Sequence, residues 1–340
     1  MVNVGIAGLG FMGMIHYLAY EKVRGAKVRA ICEQDPKRLA GDWRSIKGNF
    51  GPQGEQMDLS GVARYPELEE MFADPSVDMI DVCLPPSLHA ETVIKALKAG
   101  KHVLCEKPIA LRANDAKQMV RTARQAGKML MIAHVLPFVP EYQFAYRAIT
   151  GGKYGKLLGG HFNRVISDPL WLKDFYDPNG CGGPMVDLHI HDAHFIRLLF
   201  GMPQSVQSVG RMRGKVVEFF NSQFLFKDAN LTVTATSGVI NQQARPFTHG
   251  YEIHLERATL VFDSWMGMPL TVLTDKGKAI RPRLGTPDMT AAFPPELGEA
   301  VRAIRTGTAS ALLDGQLARD ALILAHKQTE SVLKRRPVKI

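Results

Sequence analysis

Six residues near the start, Gly8-Leu9-Gly10-Phe11-Met12-Gly13, constrain this chain more than any others. They follow an apolar run, Asn3-Ala7, and open a segment with helical spacing. In that strand, turn and helix setting a Gly-x-Gly-x-x-Gly pattern becomes a dinucleotide site. Gly8 permits the tight turn, Gly10 lets backbone approach a pyrophosphate, and Gly13 allows helix to pack close on strand. Phe11 and Met12 complete the turn, and the helix N-terminus offers N–H donors and a positive dipole end to phosphates. A glycine-rich turn holding no ligand is the plainer alternative. Glu33 follows at the end of a second strand, Lys27-Cys32, where a carboxylate accepts hydrogen bonds from ribose hydroxyls and repels a 2′-phosphate. Lys37 and Arg38 could neutralise such a phosphate, so NAD is expected ahead of NADP. Glu33 could also be a solvated residue that begins a turn.

Further short apolar runs at Met79-Cys83, His102-Cys105 and Met129-Ala133 alternate with amphipathic segments, the pattern of a doubly wound parallel sheet. One such segment carries Ala90, Val93, Ile94 and Leu97 on one face and stops at Gly100. The glycine-rich stretch from Gly41 to Gly61 has no clear period and is read as either a surface excursion or a flap near the cofactor. From Leu157 onward strands follow one another: Leu157-Val165, Ser205-Met212, Phe219-Phe226, Leu231-Ser237, Glu252-Leu255, Thr259-Asp263 and Leu270-Leu273. Consecutive strands imply a large, mostly antiparallel sheet, and helices are expected at Pro184-Phe200, Pro295-Arg305 and Asp314-Lys334. The division is a Rossmann domain over 1–133 and an α+β domain over 134–340.

Two further constellations carry chemistry. Glu106-Lys107-Pro108 closes the strand His102-Cys105, and open parallel sheets bind ligands beyond the carboxyl ends of their strands. An ammonium there can stabilise an alkoxide, while Pro108 favours extended geometry at Lys107. In the helix that starts at Pro184, Asp187, His191 and His194 recur at spacings of four and three, on one face. A carboxylate beside an imidazole makes an acid/base pair near neutral pH. A polar helix start with satisfied histidines is the structural alternative. No metal is expected, because His189 and His191 would diverge by about 200° on a helix and share no ion.

The charge of +9, from 42 basic and 33 acidic residues, is spread along the chain, with one tight cluster at Lys334-Arg335-Arg336. That cluster suits a solvated helix end, so nucleic acid is not an expected partner. No apolar run approaches the ~20 residues of a membrane span. The opening residues read as a strand rather than a secretory signal, so a cytoplasmic protein is expected. The four cysteines lack paired metal spacing, and three lie in or beside strand-like apolar runs.

Taken together, these residues give a chain that resembles the Gfo/Idh/MocA family of oxidoreductases over nearly its whole length. The resemblance rests on Gly8 to Gly13 and on Leu84-Pro85-Pro86-Ser87-Leu88-His89, followed by Ala96-Leu97-Lys98-Ala99-Gly100-Lys101-His102-Val103. It rests further on Glu106-Lys107-Pro108, on Asp187 with His191, and on Ser331. It implies a Rossmann domain paired with an open-faced mixed sheet, and hydride transfer between NAD(P) and a sugar or cyclitol hydroxyl. By position Lys107 resembles the family's active-site lysine, and Asp187 and His191 its Asp-x-x-x-His pair, with His191 as general acid/base. Leu84, Pro85, Pro86, His89, Glu106 and Lys107 correspond to cofactor contacts, and His134 and His194 are candidate substrate contacts. The chain departs from the family with His189 in place of a common glycine, His194 in place of a common aspartate, and no arginine before Phe138. Two other readings stay open: a redox-neutral reaction on a glycoside with recycled NAD, and an NAD-binding sensor. A homodimer or homotetramer is expected, because the second domain's sheet would otherwise expose a face.

Overall fold

A computed structural model describes residues 1–285 and 288–340. In chain order the elements begin β1 (Val2–Ala7), α1 (Phe11–Tyr20), β2 (Ala26–Cys32), α2 (Pro36–Leu39), β3 (Ala63–Tyr65), α3 (Leu68–Ala73), β4 (Met79–Val82), α4 (Pro86–Lys98), β5 (His102–Glu106), α5 (Ala113–Ala126) and β6 (Leu130–Ala133). They continue α6 (Pro140–Thr150), β7 (Leu157–Ser167), α7 (Ile190–Phe200), β8 (Ser205–Arg213), β9 (Val216–Leu225), β10 (Thr232–Ile240), β11 (Thr248–Leu255), β12 (Ala258–Asp263), β13 (Met268–Thr274), β14 (Ala279–Ile280), α8 (Phe293–Thr306), α9 (Gly315–Lys334) and β15 (Val338–Lys339). The chain forms two compact units, Met1–Phe138 with Pro287–Arg319, and Val139–Thr286 with Asp320–Ile340.

In the first unit six parallel strands run in the order β3-β2-β1-β4-β5-β6. The order reverses between β1 and β4, and a dinucleotide crosses a doubly wound sheet at that switch point. Helices cover the sheet, so β4 and β6 are buried along their whole length. Sequence pattern anticipates five of these strands; β3, Ala63-Arg64-Tyr65, is too short to show a period. The unit also differs from an expected division at residue 133. Its second segment brings α8 back to pack on α1, β1 and β6. An amphipathic helix reveals which face it buries, not which distant element covers that face. The Gly41 to Gly61 stretch is anchored on α1. Trp43 is fully buried with its ring edge-on to Tyr17, and Phe50 meets Phe11 of the glycine turn at 4.8 Å.

In the second unit nine strands run β14-β13-β12-β11-β7-β10-β9-β8-β15. Pairing is antiparallel except between β7 and β10. One face carries α6, α7 and the later part of α9. Tyr142 of α6 packs edge-on to Tyr251, and Phe195 of α7 to Phe162. Ser331 of α9 accepts the Ser208 N–H at 2.9 Å. On the opposite face β9 alternates exposed Asn221, Gln223 and Leu225 with buried neighbours. Val209 of β8, opposite Asn221, is 62% exposed. Expected strands and helices appear with shifted ends, and α9 starts where Asp314 Oδ1 accepts the Gln316 N–H at 2.8 Å. Among the described residues, no helix is long and apolar enough to cross a membrane.

Candidate functional site

The glycine turn leaves β1 at the switch point. Gly8 has φ +91°, and a Cβ there would press on the Leu84 side chain and the Cys83 carbonyl. A Cβ on Gly13 would sit 2.0 Å from the Gly8 carbonyl oxygen, so only glycine lets α1 start this close to the turn. Gly10 is the opposite case, since a Cβ there would meet no described atom within 4 Å. Gly10 is also the N-cap of α1, where no side-chain hydrogen bond caps the helix and the first turn carries no acidic residue. Open space in front of uncapped helix N–H groups is what a diphosphate needs, so the turn fits the cofactor that the pattern implies. Phe11 and Met12, the first residues of α1, are half-buried.

Glu33 fits with an addition that sequence does not reveal. Its Oε2 accepts the Leu9 N–H at 2.8 Å and its Oε1 accepts the Asp35 N–H at 3.0 Å. The carboxylate thus ties the glycine turn to the end of β2, and each oxygen keeps a lone pair for a ribose hydroxyl. Arg38 lies 3.9 Å from Asp35, and Lys37 is exposed.

Leu84 and Pro86 are half-buried and Pro85 is exposed at the start of α4. His89 is fully buried, with Nδ1 2.8 Å from the Pro108 carbonyl and Nε2 2.8 Å from the Leu84 carbonyl. Burial lowers its pKa against the pull of those carbonyls. The ring lies between this loop and the Glu106-Lys107-Pro108 element, each nitrogen facing a backbone carbonyl and the neutral ring donating to one of them. Glu106 is buried at the end of β5, its Oε2 accepting the Lys107 N–H at 3.0 Å, and Lys107 itself is half-buried. The Lys107–Pro108 bond is cis.

In the second unit the expected helix from Pro184 begins instead as one π turn over Pro184–Leu188, closed by the His189 N–H to the Pro184 carbonyl at 2.8 Å. Such turns insert a residue into a helix and are frequent at functional sites. Gly183, at φ +74°, leads into it. Asp187 and His191 are half-buried, whereas His189, Asp192 and His194 are buried. Arg164 of β7 grips Asp192 through two hydrogen bonds of 2.7 and 2.9 Å. His189 points to Gln328 of α9 at 3.2 Å, and burial lowers its pKa to about 4. The neighbours of His191 are thus locked into the core, fixing the helix that carries it. His134, just past β6 in the first unit, is fully buried.

Sequence reasoning passed over one cluster of the first unit: His16, Asp81, Glu106 and Glu296. An aspartate inside the apolar run Met79-Ile80-Asp81-Val82 was the available signal, since a charge in a central strand requires a partner. Among the described residues, His16, Asp81 and Cys83 bring possible metal-binding atoms within 4.8 Å of one another. The 2.9 Å contact of His16 with Asp81 is, however, a closed hydrogen bond.

The first unit has the build of an NAD-binding Rossmann oxidoreductase. Residues 2–134 match a family described as an oxidoreductase family with an NAD-binding Rossmann fold, and residues 142–261 match the GFO/IDH/MocA C-terminal domain. These spans take in most of the chain, and the chain belongs to the Gfo/Idh/MocA oxidoreductase family. It is 31% identical over 202 residues to a 1,5-anhydro-D-fructose reductase of Ensifer adhaerens, covering 57% of this chain and 59% of the relative. It is 30% identical over 215 residues to a 2,7-anhydro-N-acetylneuraminate hydratase of Escherichia coli, covering 62% of this chain and 53% of that protein. The chain thus spans little more than half the length of these relatives. A solved levoglucosan dehydrogenase, in complex with NADH and levoglucosan, shares the fold with a TM-score of 0.83 at 21% identity, covering 100% of this chain and 99% of that one.

Proposed function

We propose that this chain transfers hydride between NAD(H) and a secondary hydroxyl of a sugar, sugar derivative or cyclitol. The observation that carries the reading is Lys107, set at the carboxyl end of β5 on a backbone held by buried Glu106, in the same unit as an open, uncapped glycine turn. When bound, the nicotinamide supplies the hydride acceptor or donor. Lys107 donates a hydrogen bond to the reacting oxygen and stabilises its negative charge as the proton leaves. His191 takes that proton as general base, or returns it as general acid in reduction. Asp187 favours the charged form of the imidazole. His134 and His194, completely buried, remain candidate substrate contacts in this reading. Glu33 favours NAD, since a 2′-phosphate would meet its carboxylate.

The reductase of Ensifer adhaerens and the hydratase of Escherichia coli act, by name, on anhydro sugars, which supports a polyol substrate. The test is a panel of sugars, anhydro sugars, sugar acids and inositols with NAD and with NADP, followed by absorbance of the reduced nicotinamide. Lys107→Ala and His191→Ala are expected to lose ~10²–10⁴-fold in kcat while still binding NADH. Undiminished turnover in both variants refutes a part for Lys107 and His191 in the chemical step. The hydratase among the relatives favours a second reading, a redox-neutral reaction with retained NAD. Cofactor persisting through purification, with substrate consumed and no net NADH formed, would select it. The exposed sheet face of the second unit is further expected to form a homodimer or homotetramer. A monomeric mass by light scattering at micromolar concentration would refute that.

A further inference from the structure

The polar cluster of the first unit takes part in no step of the hydride transfer. His16, three residues past Gly13 on α1, is fully buried. Its Nδ1 lies 2.9 Å from Asp81 Oδ2 on β4, and its Nε2 lies 3.1 Å from Glu106 Oε1 at the end of β5. The second contact is close as an ion pair but is not aligned as a hydrogen bond. The Tyr20 hydroxyl donates to the same Asp81 oxygen at 3.0 Å, and Cys83 Sγ lies 3.5 Å from Nδ1. From α8, the Phe293 ring centre is 5.9 Å from the imidazole, and Glu106, His16 and Asp81 all act electrostatically on Glu296.

A chain of contacts follows. Asp81 fixes one ring nitrogen of His16, the other attracts one oxygen of Glu106, and the second oxygen of Glu106 holds the Lys107 amide. Burial works against charge on His16, yet Asp81 beside it raises the ring's pKa well above its ordinary value. A buried ion chain is weak evidence for stability, because apolar residues of equal volume serve as well or better. Its arrangement makes sense through the half-buried lysine at its end.

We propose that His16 is a positioning residue for Lys107, holding Glu106 in the orientation that accepts the Lys107 amide and so setting the course of the backbone as it leaves β5. The proposal rests on the reading of Lys107 as donor to the reacting oxygen. Two variants test it: His16→Gln, and His16→Gln with Asp81→Asn, which removes the imidazole and the carboxylate beside it together in case the first folds poorly. Hydrogen exchange at the Lys107 amide is read against Val103 and Leu104 of the same strand, alongside NADH affinity and steady-state kinetics. Exchange at Lys107 is expected to quicken ~10-fold or more while the two reference amides hold. With kcat, a loss of ~10–100-fold is expected at an NADH affinity within ~3-fold of wild type, as misplacement by about 1 Å allows. Unchanged Lys107 exchange in both variants overturns the proposal, and so does wild-type kcat in a variant whose Lys107 amide is released. Released exchange in a protein whose wild type turns over no polyol supports the anchoring and refutes the proposed reaction instead.

Discussion

Glu296 gives the sharpest stability test. It is fully buried on α8, and neither carboxyl oxygen has a hydrogen-bond partner among the described residues. Burial above all, then the charge of Glu106, pushes its pKa well above the ordinary value. The folded protein therefore keeps this proton to higher pH than the unfolded chain does. Above the unfolded pKa of ~4.3, folding must take up that proton, at ~1.36 kcal/mol for each pH unit over which only the folded state holds it. The sign follows from the raised pKa: the group's favourable contribution is complete below the unfolded pKa and is lost as pH rises towards the folded one. In Glu296→Gln there is no proton to take up. Burying the amide adds a cost of ~1–3 kcal/mol that is the same at every pH. The variant should thus gain on wild type as pH rises from ~4.5 to ~7.5, at up to ~1.36 kcal/mol per pH unit while the folded acid keeps its proton, whatever its absolute level. Urea unfolding of the first unit can be followed through buried Trp43 once the exposed Trp171 and Trp265 are replaced by Phe. A stability difference constant within ~0.5 kcal/mol across that range would refute the raised pKa of Glu296.

Other outcomes follow from the same geometry. Gly10→Val should fold with stability within ~0.5 kcal/mol of wild type yet lose at least ~30-fold in NADH affinity, about 2 kcal/mol, by fluorescence titration. Gly13→Ala should instead cost ~2 kcal/mol or more of stability, since its Cβ would meet the Gly8 carbonyl at 2.0 Å; equal effects of the two would contradict the assignment of Gly10 to the diphosphate. Asp192→Ala leaves Arg164 buried without its partner and should destabilise the second unit by ~3–5 kcal/mol in denaturant unfolding. His189 is held neutral by burial, so its contribution is complete above the ordinary value of 6.5 and is lost as pH falls to about 4. His189→Gln should flatten the acid limb of second-unit stability over that window, and an unchanged limb would show that another group sets it.

Much of the site was legible because its signals are local. A glycine turn behind an apolar run shows where a backbone must bend and approach a phosphate, and Glu33 and Lys107 sit at strand ends that the same runs mark. The second sheet could be read from strands that follow one another without intervening helices. Helical spacing pointed to a helix running from Pro184 through Asp187 and His191, but not to the π turn that begins it, which depends on one hydrogen bond from His189 to Pro184.

Sequence by itself therefore determined the alternation of strands and helices, the dinucleotide turn and the identities of the chemical groups. Each of these follows from neighbouring residues through backbone sterics and periodic burial. Tertiary structure alone decided that residues 288–319 return to the first unit, that Asp81 meets His16, that Arg164 meets Asp192, and that Glu296 lies among carboxylates. Ionic and hydrogen-bonded partners far apart in the chain carry no period, and a buried charge becomes intelligible only when distant segments pack around it.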